Sequence, residues 1–120
     1  MFARIEGMPD GAIGFAAKGR VTGADRKRFL EPVIEGVVEA GGKVRLLYIA
    51  GPEFTGYAEG TMFDDAVFGT RHFTDFAKIA FVADDGPYER AAHALDGLMP
   101  TALRVFATRD LEAAKEWLAE

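Results

Sequence analysis

Cysteine is missing from this chain. Its absence rules out disulfides, thiol nucleophiles and cysteine-ligated metal sites. A chain without a disulfide framework fits the cytoplasm, which is the expected location. Long apolar runs are missing too: none approaches the ~18 residues a membrane-spanning helix requires. The start of the chain, Met1 to Gly7, has no basic segment followed by an apolar one, so no signal peptide is expected. Positive charge is scarce and scattered. Fourteen basic residues face nineteen acidic ones, a formal net charge of −5, and a phosphate backbone is gripped by a clustered cationic face. Nucleic acid is therefore not an expected partner. The one basic cluster, Arg26-Lys27-Arg28, reads as a solvated helical face. Internal repeats, linkers and low-complexity tracts are absent as well.

What is present suits a single domain over residues 1–120. Apolar residues make up 49% of the chain and charged residues 28%, an ordinary soluble composition with enough length to bury a core. The stretch from Lys43 to Asp85 organises the rest. It reads as a buried strand (43–50), a glycine-punctuated loop (51–60), an amphipathic helix (61–73) and a second buried strand (78–83). Both strands are short apolar runs without polar alternation, the pattern of parallel strands covered by helices on both faces.

Upstream, 2–6 and 12–18 are predicted to form a β-hairpin across the turn formers Gly7-Met8-Pro9-Asp10-Gly11. Thr22 to Asp25 resembles a capping box with Asp in place of Glu. The helix that follows, about 23–40, lines Phe29, Leu30, Val33, Ile34, Val37 and Val38 along one face. Pro32 lies inside it and predicts a kink or short break, because its ring crowds the carbonyl of Arg28. Gly41-Gly42 should close it as a left-handed cap. Downstream, Asp84 and Asp85 open a third helix with Tyr88, Ala91, Ala92, Leu95 and Leu98 inward, and 102–107 is the last strand. Thr108 or Asp110 should cap a terminal helix that turns Leu111, Ala114, Trp117 and Leu118 inward. The order ββαβαβαβα predicts an α/β fold: one mixed, mostly parallel five-stranded sheet with helices packed on it and the hairpin as antiparallel edge.

The motifs carry little chemistry. The 51–60 loop lacks the spacing of a dinucleotide fingerprint and the Gly-Lys-Ser/Thr of a P-loop, so no nucleotide cofactor is expected. His72 and His93 fall at unlike positions, and no metal site is expected. His72 and Asp75 would share a helical face, a pairing that can orient an imidazole. The alternative is that His72 complements the helix dipole, as Asp64 and Asp65 do at its other end. No nucleophile accompanies them, and no catalytic residue is assigned. The aromatics say more. The helix needs one buried face, and Phe63 and Phe73 supply it, leaving Phe54, Tyr57 and Phe68 in surplus beside the loop. Two readings stay open: a pocket lining or partner surface, or a satellite core folded over the sheet end.

The hairpin, the Thr-initiated helix with its internal proline, the strand Val44-Arg-Leu-Leu-Tyr-Ile and the run Phe68-Gly-Thr-Arg-His-Phe-Thr-Asp-Phe-Ala-Lys-Ile-Ala-Phe-Val-Ala-Asp together resemble the SpoIIAA-like family. The terminal Leu111-Glu-Ala-Ala-Lys-Glu-Trp-Leu is similar to that family's closing helix. The resemblance implies a STAS-type fold, related to the lipid-binding CRAL-TRIO fold, and no enzymatic activity. Anti-sigma factor antagonists of the STAS fold carry a phosphorylatable serine in the loop after the third strand. This sequence contains no serine, and Thr55 and Thr61, outside the expected motif, are the hydroxyls left beside Tyr57. What the resemblance implies is thus a non-enzymatic binding module. Its expected ligand site is Phe54, Tyr57, Met62, Phe63 and Phe68, holding a small apolar or lipid-like molecule. The alternative is a protein-interaction regulator without the usual serine. Contact with a membrane surface and homodimerisation through a hairpin edge strand are further partner expectations.

Overall fold

The computed structural model describes residues 1–58, 75–84, 86, 89–90, 92–93 and 102–120. The helix expected over 61–73 and most of the one expected after Asp85 lie outside these residues. The chain opens with β1 (Phe2–Arg4) and β2 (Ala12–Ala17), paired antiparallel with Phe2 opposite Ala17. β2 then pairs parallel with β4 (Val44–Ile49), β4 with β6 (Phe76–Val82), and β6 with β7 (Ala102–Phe106). The sheet order is β1-β2-β4-β6-β7. A five-stranded, mostly parallel sheet with an antiparallel hairpin at one edge is the predicted architecture.

Two short strands were not foreseen. β3 (Gly19–Val21) and β5 (Phe54–Tyr57) pair parallel in a separate two-stranded sheet. The glycine-rich 51–60 segment is therefore in part a strand, not a loop. Gly56 stands at φ +129, backbone that only glycine tolerates within a strand.

Period-two alternation sorts the central strands onto two cores. Val44, Leu46 and Tyr48 join Ile13, Phe15, Leu30 and Ile34 in the first core. Leu47 points the other way, against Ala80, Val82, Ala114, Trp117 and Leu118 in the second. The pairing of β4 with β6 slips by one residue between Val44 and Arg45. That slip puts Phe76 in the first core together with Ile79 and Phe81, although their numbers have opposite parity.

The helical segment over the first core begins as the sequence predicts. The Asp25 N–H donates to Thr22 Oγ1 (3.2 Å) and the Thr22 N–H to Asp25 Oδ2 (3.0 Å), a complete capping box on α1 (Gly23–Asp25). The predicted break at Pro32 takes a different form. Residues Arg26–Leu30 make a π-helical turn, in which the Glu31 N–H reaches the carbonyl of Arg26, and α2 (Glu31–Glu39) follows with Pro32 in its first turn. Widening the turn ahead of proline satisfies the donors around a residue that has none, so the helix shifts register instead of stopping. The same turn buries Arg26 (7% exposed), whose Nε lies 3.1 Å from Glu31 Oε2. The basic cluster is thus not wholly a solvated face. Gly41, at φ +84, closes α2: its N–H donates to the Val38 carbonyl and that of Gly42 to Val37, the predicted left-handed cap.

The terminal helix, α3 (Leu111–Ala119), buries Ala114, Trp117 and Leu118 as expected, with Leu111 packed beside them. Its capping differs from expectation. A 3-10 turn, Thr108–Asp110, precedes it, and Asp110 makes no side-chain cap. Its carboxyl end is held by the sheet, where Lys78 Nζ donates to the Trp117 carbonyl (2.9 Å) and Arg45 Nη1 to that of Leu118 (2.6 Å). Two cations thus meet the negative pole of the helix dipole.

Candidate functional site

In parallel sheets the carboxyl ends of the strands are where loops gather and ligands sit. Two features occupy that end here. The first is aromatic. Phe54 and Tyr57 begin and end β5, half-buried, with ring centroids 5.1 Å apart in edge-to-face contact. The Tyr57 hydroxyl is 2.7 Å from that of Tyr48. Tyr48 in turn stacks on Phe81 (5.5 Å) and meets Phe2 edge-on (5.6 Å). This pair of the predicted site residues is therefore brought together and tied to the first core. Thr55, between them, is exposed. Met62, Phe63 and Phe68 lie outside the described residues, as do Thr61, Asp64 and His72. Asp75 is half-buried, immediately ahead of β6.

The second feature is polar, and sequence reasoning missed it. Beyond the ends of β6 and β7 a cleft of about 450 Å³ is lined by Asp84, Glu89, His93, Val105, Phe106 and Arg109, among others. Asp84 follows β6 and binds the turn after β7: the Thr108 N–H donates to Oδ1 (3.0 Å), and Thr108 Oγ1 lies 3.0 and 2.9 Å from the two carboxylate oxygens. The Thr108 backbone and hydroxyl hydrogen bonds hold the Asp84 carboxyl below its ordinary value against an opposing desolvation, with a lesser contribution from the Arg109 charge. On the helical residues of the other wall, His93 Nε2 meets Glu89 Oε1 at 2.7 Å, one turn apart. The two features adjoin, since a methyl placed on Gly51, just past β4, would come within 3.7 Å of Thr108 Cγ2.

The signal for the cleft was in the sequence. Local signals make Asp84 a helix start and Thr108, or Asp110, a cap. Applying the carboxyl-end rule to every strand, and not to the first buried strand alone, brings both to one edge.

The SpoIIAA-like family model matches residues 12–119. The chain belongs to the SpoIIAA-like family. Among solved structures, it is similar to an uncharacterised DUF3478-family protein with a SpoIIAA-like fold from Shewanella loihica PV-4. The two are 22% identical, with a TM-score of 0.76 over 98% of this chain and 92% of that one. At that identity the likeness extends to the fold. No curated protein gives a match. In this SpoIIAA-like domain, no described helix is long and apolar enough to cross a membrane. Among the described residues, no cluster of three histidines or carboxylates is placed to hold a metal ion.

Proposed function

We propose that this SpoIIAA-like domain is a non-enzymatic binding module that takes a small apolar or lipid-like ligand at the aromatic corner beyond β4. The supporting observation is the Phe54–Tyr57 ring pair. Its rings are half-buried and packed against the first core, and the contact of the Tyr57 hydroxyl with that of Tyr48 fixes their strand in place. Rings held before the ligand arrives lose little conformational freedom on binding. Covering them yields about 25 cal/mol per Å² of apolar area removed from water. Met62, Phe63 and Phe68, which the sequence also assigns to this site, lie outside the described residues.

The test is displacement of a hydrophobic fluorophore by fatty acids from detergent-free protein. Saturable binding, fatty-acid competition and weakening by Phe54→Ala are expected. Absence of fluorophore binding at micromolar concentration removes the apolar-ligand reading. A second reading, a protein-interaction regulator, is favoured by the exposure of Thr55 on β5. Incubation with a candidate kinase followed by intact mass checks its switch form, which requires phosphate on Thr55 or Thr61.

A further inference from the structure

We infer that the cleft beyond β6 and β7 binds a small free zwitterion of the amino-acid type, with its carboxylate on Arg109 and its ammonium on Glu89 and Asp84. This site is separate from the aromatic corner and does not rest on the reading given to that corner. The cleft's volume, about 450 Å³, lies within the usual range for small-molecule sites, roughly 300–1,000 Å³.

Its charges come from different elements. Arg109 stands on the turn after β7, whereas Glu89 and His93 stand on the helical residues beyond β6. Arg109 lies near enough to Asp84 to act on it electrostatically, yet its guanidinium makes no hydrogen bond or ion pair with any described residue. A guanidinium with its donors unspent fits a carboxylate in a bidentate fork. Glu89 engages His93 through one oxygen, leaving the other for a donor on the ligand. Asp84, exposed at the cleft, is held in place by the Thr108 N–H and hydroxyl.

The balance of signs selects the ligand class. Two carboxylates against one guanidinium repel phosphate and other simple anions, while a simple cation offers no acceptor to the guanidinium donors. A molecule carrying both charges satisfies both walls. Phe106 and Val105 leave an apolar side for the ligand's carbon skeleton.

The experiment is an amide-resolved NMR titration of the full chain with L-glutamine, L-glutaminamide, inorganic phosphate and a short-chain phosphatidylethanolamine, each at millimolar concentration. Saturable shifts at 83–84, 93 and 105–109 with L-glutamine are expected. L-glutaminamide, which lacks the carboxylate, should bind at least about tenfold more weakly, the loss of one charge-assisted pair. Arg109→Gln should weaken L-glutamine similarly while the Trp117 fluorescence stays native. Glu89→Gln should weaken L-glutamine but not restore phosphate. No saturable shift with L-glutamine overturns the inference. So does phosphate binding as tightly as L-glutamine, or unchanged affinity in a folded Arg109→Gln protein. Binding of the phospholipid alone would assign the zwitterion to a lipid headgroup and also overturn it.

Discussion

Tyr48 shows how one side chain can serve both core and site. Its ring lies in the first core between Phe2 and Phe81, while its hydroxyl meets that of Tyr57 on β5. Tyr57→Phe removes that contact and nothing of the ring packing. The expected cost is about 1 kcal/mol, the usual net worth of one such hydrogen bond. It should appear as a lowered urea midpoint with an unchanged m-value. Asp84 permits a different kind of test. Its carboxyl is held below the ordinary value in the folded protein, so the folded state takes up its proton at lower pH than the unfolded chain does. Its contribution is complete above the ordinary carboxylate value and is lost as pH falls through the depressed one. Asp84→Asn should therefore flatten the fall of stability with acid below about pH 4, the unperturbed aspartate range. Denaturant melts at a series of pH values would show this, and an unaltered acid slope would contradict it.

The helical segment over the first core was legible at both ends and illegible in its middle. Thr22 with Asp25, and Gly41 with Gly42, are signals complete within four residues, and each produced the cap predicted. At Gly41 the cap depends on φ +84, and no atom lies within 4 Å of where a Cβ would stand. Gly41→Ala thus isolates the backbone cost, roughly 1–2 kcal/mol for a left-handed non-glycine residue. Thermal denaturation would measure it. The widened turn at Arg26–Leu30 was harder to read, because proline demands some accommodation without stating which one. Burial of Arg26 follows from that choice, so a local reading of three basic residues placed it outside. β3 and β5 escaped for a related reason. Each is too short to show periodicity, and each exists only because the other supplies its hydrogen bonds from more than thirty positions away. The cleft shares this property: Asp84 and Thr108 are twenty-four residues apart, and only the parallel pairing of β6 with β7 makes them neighbours.

The two cores share one sheet, and this couples them. Ile34 is buried in the first and Trp117, the single tryptophan, in the second. Ile34→Ala should cost roughly 2–5 kcal/mol through lost burial and the space left behind. Although Ile34 is in the opposite core from the indole, the tryptophan fluorescence midpoint should fall by as much as the far-ultraviolet dichroism midpoint. Separate transitions would mean that the faces unfold independently and that the shared strands do not bind them into one cooperative unit.

The order of the main strands has a bearing on biosynthesis. β1, β2, β4, β6 and β7 lie side by side in the sequence in which a ribosome releases them. Each newly made strand finds an open flank on the one before it and never has to be wedged between two that are already joined. Assembly can thus keep pace with translation, advancing like a zip from the amino-terminal hairpin.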